Sequence, residues 1–331
     1  MAGHRGTGNA IFEIAMQSTG FLDGSTPVFV LITPLPNWKG SEQSVTEGIC
    51  IRRLLPGERV AMELSHPLLS YHDVDGSARD GYWICYEFEN PYPADNVRYR
   101  RRREAAFKLM LHAAYSVQIL APIGGPNLFL LYRRADSGVT LDCTQHRPAF
   151  LAPMWGRVCA IPASFQEEIP IVLERVREVF QKPVLRLQIP VWLLEQGLGA
   201  PDRHIRILLW ATGLDGITRS GGMAAFAERL CQLLGASTAI FPPDATGRRP
   251  EYQVIDVAED LYQLRNEMAH GLPFHEKFRK KRGFLVAAGE PPSEDFASYR
   301  YDHVLEECAV FLLCQSLRAT FLEGRPRGSA T

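Results

Sequence analysis

With 331 residues, 46% hydrophobic and 22% charged, the chain has enough material for two packed domains and is too apolar for wholesale disorder. Its net charge of −1 excludes a global attraction to nucleic acid, and no apolar run approaches the length of a membrane span. The opening MAGHRGTGNA has no apolar signal-peptide segment behind its charges, so a cytoplasmic protein with no membrane contact is expected.

The seven cysteines are scattered, odd in number and without a CxxC pair, which predicts buried reduced thiols rather than a disulfide framework. Charge is distributed less evenly than its sum suggests. RYRRRRE holds Arg98 and Arg100 to Arg103, and KFRKKR holds Lys277, Arg279, Lys280, Lys281 and Arg282. Each run reads first as a solvated helix or loop face.

In chain order, residues 1–165 read as an α+β domain. Strand-like runs are AIFEIAM (10–16), PVFVLITPL (27–35), GICIRRLL (48–55), YWICYEF (82–88) and NLFLLYRR (127–134), with DVDGSARDG and GGPN as turn signals between them. One helix is expected over about 98–120, beginning in the arginine run. From residue 166 to 331 the texture is all-α, with helices at 166–181, 184–198 (kinked or split at Pro190), 202–219, 221–235, 251–270 and 298–322. Asp202 is placed as an N-cap and Gly235 as a helix-ending glycine. Residues 283–298 read as a loop.

Several short patterns carry no chemistry. Asp73-x-Asp75-Gly76 lacks the bidentate glutamate of a calcium loop, and His275-Glu276 lacks the second histidine of a zinc protease. Gly3, Gly6 and Gly8 follow no strand, and Cys143 with His146 makes half a metal site at most. No metal ion or cofactor is therefore expected.

The helix ending in LYQLRNEMAHG is different. At about 100° per residue, Val254, Val257, Ala258, Leu261, Leu264 and Met268 form an apolar stripe, with Asp256, Glu259, Asp260, Gln263 and Glu267 opposite. Arg265 falls inside the stripe. A guanidinium there keeps its proton, so it must find a carboxylate, with Asp215 and Glu228 as candidates, or open onto a cleft. Tyr262, Asn266 and His270 form a polar ridge along one shoulder, suited to a second copy of the chain or to a ligand. His270 lies where exposed carbonyls favour a cationic imidazole.

Arg265-Asn266-x-x-x-His270 followed by Gly271 resembles the signature of the HEPN superfamily (higher eukaryotes and prokaryotes nucleotide-binding). The order RILLWATGLDGI, FAERLCQLLG, LYQLRNEMAHG is similar to the Apea-like branch, with Trp210, Asp215, Arg229, Tyr262, Arg265, Asn266, His270 and Gly271 at family positions. That branch usually carries glutamate where this chain has Asp215. The resemblance covers roughly 166–322 and none of the first domain.

The resemblance implies an all-α HEPN-type bundle, a homodimer whose motif helices meet in one composite site, and metal-independent endoribonuclease activity of an anti-phage or toxin-like kind. His270 is then expected to move protons, Arg265 to clamp phosphate, and Asn266 to orient the imidazole or the phosphate, with Tyr262, Asp215 and Arg229 in support. The basic run at 277–282 is the expected contact for the RNA backbone. The alternatives are a non-catalytic dimerisation scaffold and a nucleotide- or RNA-binding regulator. Residues 1–165 would sense a trigger or engage a regulatory partner.

Overall fold

The structure, a computed structural model, describes residues 28–35, 38, 40–46, 48–65, 81–92, 95–121, 129–133, 140–145, 163–182, 185–241, 252–270 and 294–322. Two units divide the chain: Met1–Ala114 with Pro126–Pro148, and Tyr115–Gly125 with Ala149–Thr331, where the sequence texture put a single break at 165/166.

The first unit is built on a six-stranded antiparallel sheet of order β2-β3-β4-β1-β5-β6. Its strands are β1 (Val28–Leu35), β2 (Gln43–Thr46), β3 (Ile49–Arg53), β4 (Tyr82–Glu89), β5 (Phe129–Arg133) and β6 (Thr140–Gln145). Central β1 pairs with β4 and β5, and its residues are buried on both faces: Phe29 and Leu31 on one, Val30 and Ile32 on the other. On the first face Phe29 stacks on Phe88 and meets Tyr99 edge-on, Tyr99 coming from helix α2 (Val97–Leu120). On the second, Val30, Ile32, Leu54, Trp83 and Cys85 form one cluster with Cys50 against it.

Helix α1 (Pro56–Ser65) packs against β6. Arg52 of β3 donates twice to the buried Glu58 of α1, at 2.7 and 2.8 Å, and the Leu55 backbone N–H donates to the same carboxylate. This bidentate pair satisfies a carboxylate that could not otherwise be buried at the start of a helix.

Three of the expected strands are β1, β3 and β4, and β5 falls within the fifth run, NLFLLYRR; AIFEIAM lies outside the described residues. Strands β2 and β6 and helix α1 were not expected. QSVT and TLDCTQ are polar edge strands that no apolar alternation marks.

The second unit is mostly helical. Its elements are α3 (Phe165–Gln181), α4 (Leu185–Gly199), α5 (Arg203–Thr218), α6 (Met223–Leu234), a short β7 (Ala239–Phe241) and β8 (Tyr252–Gln253) pair, α7 (Val254–Ala269) and α8 (Glu294–Leu322). Asp202 caps α5 by accepting from the Ile205 N–H at 3.0 Å, and Gly235 closes α6 at φ +91. Helix α7 starts at Val254 rather than 251 because Gln253 and Asp256 form a reciprocal capping box. Helix α8 takes in 294–298, assigned to a loop from the sequence; the break signal, Pro291-Pro292, lies just before it.

Helix α4 runs through Pro190 without splitting. The buried ring faces Gly216 of α5, where a Cβ would lie 3.4 Å from Pro190 Cγ, an ordinary contact. A second close approach joins the same helices. Trp210 is fully buried over Gly197 and donates Nε1–H to the Leu194 carbonyl at 3.2 Å. A Cβ on Gly197 would come within 2.6 Å of Trp210 Cε2. Gly197→Ala is therefore expected to cost about 1–3 kcal/mol through overpacking, read as a lowered denaturant midpoint at unchanged m.

Helix α8 is tied down by two acids. Glu306, 2% exposed, accepts from Arg203 Nε at 3.0 Å and from Arg206 Nε, both on α5. Glu168 of α3 accepts from Arg318 at 2.6 and 2.7 Å.

Among the described residues none of Cys50, Cys85, Cys231, Cys308 and Cys314 is in a disulfide. Burial pushes the Cys85 thiol far up and raises Cys50 and Cys231, so these groups are poor thiolates. Among the described residues no helix is long and apolar enough to cross a membrane.

Candidate active site

The polar end of α7 draws its partners from α5, α6 and the turn between them. At the end of α5, Arg219 adopts the left-handed conformation (φ 52, ψ 48) and its N–H closes on the Asp215 carbonyl at 2.8 Å. A non-glycine residue there costs about 1–2 kcal/mol, so something must hold it. Arg229 of α6 does so: its Nη1 donates to the Thr218 carbonyl at 2.7 Å and to that of Arg219. A guanidinium thus caps the negative end of α5. The reversed chain brings the Ser220 hydroxyl onto Asp215 Oδ1.

The other oxygen of Asp215 accepts from Arg265 Nη2. Arg265 Nη1 donates to Asn266 Oδ1 at 2.8 Å, and its guanidinium carbon lies 4.6 Å from the centre of the Tyr262 ring. Tyr262 is backed in turn by buried Phe226, ring centres 5.2 Å apart. Arg265 therefore has a carboxylate, an amide and an aromatic face around it, three favourable environments for a delocalised cation. Its Nε is buried with no hydrogen-bond partner among the described residues.

The cluster is not sealed: the side chains of Arg265 and Asp215 keep 19% and 25% of their exposure. Of the two acids that the helical pattern allows for Arg265, Asp215 is the partner. Glu228 is exposed and accepts from Gln232 instead. Around the wheel, Val254, Val257, Ala258, Leu261 and Leu264 are buried, while Met268 is half-buried.

His270 caps α7 and is exposed, its backbone N–H bonded to the Asn266 carbonyl at 3.0 Å. Asn266 Oδ1 turns to Arg265 rather than to the imidazole. The structure thus brings Asp215, Tyr262, Arg265 and Asn266 into contact and leaves His270 one turn further on, at the surface. Gly271, Lys277, Arg279, Lys280, Lys281 and Arg282 lie outside the described residues.

Two members of the cluster escaped the sequence reading, Ser220 and Phe226. Ser220 reaches Asp215 only because Arg219 turns left-handed, and arginine is not a residue type that signals such a turn. Phe226 sits on an apolar face that reads as ordinary core.

Comparison with protein-family models, with curated proteins and with solved structures finds no match for this chain.

Proposed function

We propose that the chain is a metal-independent endoribonuclease that cleaves RNA at a composite site made by two copies of α7. The carrying observation is the partly open cluster of Asp215, Tyr262, Arg265 and Asn266, one turn from an exposed His270. RNA supplies its own nucleophile. The ribose 2′-hydroxyl attacks the adjacent phosphorus, the P–O5′ bond breaks, and the products carry 2′,3′-cyclic phosphate and 5′-hydroxyl ends.

That reaction asks the protein for two proton transfers and for stabilisation of charge on the phosphorane. One imidazole removes the 2′-hydroxyl proton and the other delivers a proton to the leaving 5′-oxygen, which is why the site takes two copies of His270. Arg265 supplies a planar cation against the phosphorane oxygens, held in orientation by Asp215 below and the Tyr262 ring beside it. With its oxygen engaged by Arg265, Asn266 has its amide N–H groups to give to phosphate. The basic run 277–282 is the proposed backbone contact. The test is incubation of the wild-type protein with total RNA and with tRNA, in the presence and absence of EDTA, followed by end-group analysis. Cleavage without the cyclic phosphate, or abolished by EDTA, overturns the reading.

A second reading, a non-catalytic scaffold, is favoured by one observation: Asp215 is engaged on both oxygens, by Arg265 and by Ser220, as in a purely structural ion pair. Arg265→Lys separates the two. The lysine keeps a charge for Asp215 but loses the fork, so thermal stability is expected to change little while the cleavage rate falls roughly 10²-fold or more. A scaffold has no rate to lose, and a nucleotide-binding regulator is stabilised thermally by nucleotide without forming RNA products.

A further inference from the structure

The arginine run that opens α2 has no part in the site proposed above, and it belongs wholly to the first unit. The helix is started by Asn96, whose Oδ1 accepts the Arg98 N–H at 2.8 Å. Its first turn contains no acid. Tyr99, Ala106 and Met110 are buried, which leaves Arg98, Arg100, Arg101 and Arg102 exposed around the remaining circumference.

This is the wrong end of a helix for cations, because the unpaired N–H groups already make it positive. The arginines also stand at repelling separations, Arg98 with Arg101 and Arg102, and Arg100 with Arg103. Asp95, just before the helix, and Glu104 are the nearest acids along the chain. Glu104, the acid on these turns, pairs with Lys108 at 3.0 Å, and among the described residues Arg100, Arg101 and Arg102 have no carboxylate partner. The two flanking arginines lie near rings, Arg98 5.8 Å from the centre of Tyr92 and Arg103 5.6 Å from that of Phe107. Three exposed arginines that oppose the helix end and have no carboxylate partner among the described residues present their cations to a ligand.

We propose that residues 98–103 and Tyr92 of the first unit form an RNA-binding surface that shares no residue with the proposed cleavage site. Exposed guanidinium groups take successive backbone phosphates, and the half-buried Tyr92, already beside a guanidinium, offers a ring for base stacking. A membrane surface fits less well. A helix lying on lipid needs an exposed apolar face, whereas Tyr99, Ala106 and Met110 beside the run are buried and Val97 is the exposed large apolar residue next to it.

The proposal does not depend on cleavage, so both arms of its test carry His270→Ala in the full chain. Binding of labelled polyuridylate is followed by fluorescence anisotropy over a range of salt, with and without the triple change Arg100→Gln, Arg101→Gln, Arg102→Gln. Losing three phosphate contacts is expected to raise Kd at least about tenfold and to lower the slope of log K against log salt by about 2. The melting temperature should hold or rise, because repulsion at the positive helix end is relieved. Unchanged affinity and slope would overturn the proposal, as would a fall in melting temperature with RNA binding intact. So would tighter binding of the His270→Ala protein to phosphatidylserine vesicles or to polyglutamate than to RNA.

Discussion

Replacing His270 by alanine is expected to lower RNA cleavage roughly 10²–10⁴-fold, the usual contribution of a positioned proton-transfer group. The protein should otherwise be unaltered. His270 is exposed, and the backbone N–H with which it caps α7 survives the substitution. Melting temperature and dimer mass therefore serve as controls, and single-turnover cleavage of tRNA as the readout. If two copies contribute to one site as proposed, mixing wild-type with His270→Ala protein should lower activity more steeply than the wild-type fraction falls, because a heterodimer holds one imidazole where the mechanism uses two. A His270→Ala protein that is folded, dimeric and as fast as wild type ends the assignment of His270 as the proton-transfer residue.

The largest stability loss is expected at Glu306. Its carboxylate is the shared acceptor of Arg203 and Arg206, whose side chains are 21% and 13% exposed. Glu306→Ala leaves two guanidinium groups without their acid, and removing one partner from a buried ion pair costs about 3–5 kcal/mol. Residual exposure of the arginines places this case nearer the lower figure. Arg206 keeps part of its bonding through Nη1, which donates to the carbonyls of Ala200 and Pro201 at 2.8 and 3.0 Å. Urea titration should show a lowered midpoint, and the triple change Arg203→Leu, Arg206→Leu, Glu306→Leu should recover much of the loss. Failure of Glu306→Ala to move the midpoint would mean that the triad is solvated.

Much of the helical unit was legible because its signals are local. Amphipathic spacing bounds α3 and α6 to within two residues, and Asp202 marks the start of α5 and Gly235 the end of α6, by side-chain oxygen and by permitted backbone angle. The sheet edges were not legible, since QSVT and TLDCTQ acquire extended structure from neighbours distant in sequence. The same distinction runs through the site. An arginine inside an apolar stripe announces that it needs an acid, and the pattern narrows the choice to Asp215 or Glu228. Choosing between them takes the packing of α5 against α7, across fifty positions of chain. Asn266 shows the limit: spacing places it on a ridge with His270, but a closer cation captures its oxygen.

The pairing of Arg265 with Asp215 also bears on how a polyanion would be gathered. The charges of Arg265 and Asp215 cancel, so that pair exerts almost no pull beyond a few ångströms. Long-range capture then has to come from other cations, Arg219 and Arg229 beside the pair among them, and under the proposed function the pair acts only on what has been delivered. Under that division of labour, ionic strength governs how often substrate arrives while leaving the speed of each turnover nearly untouched.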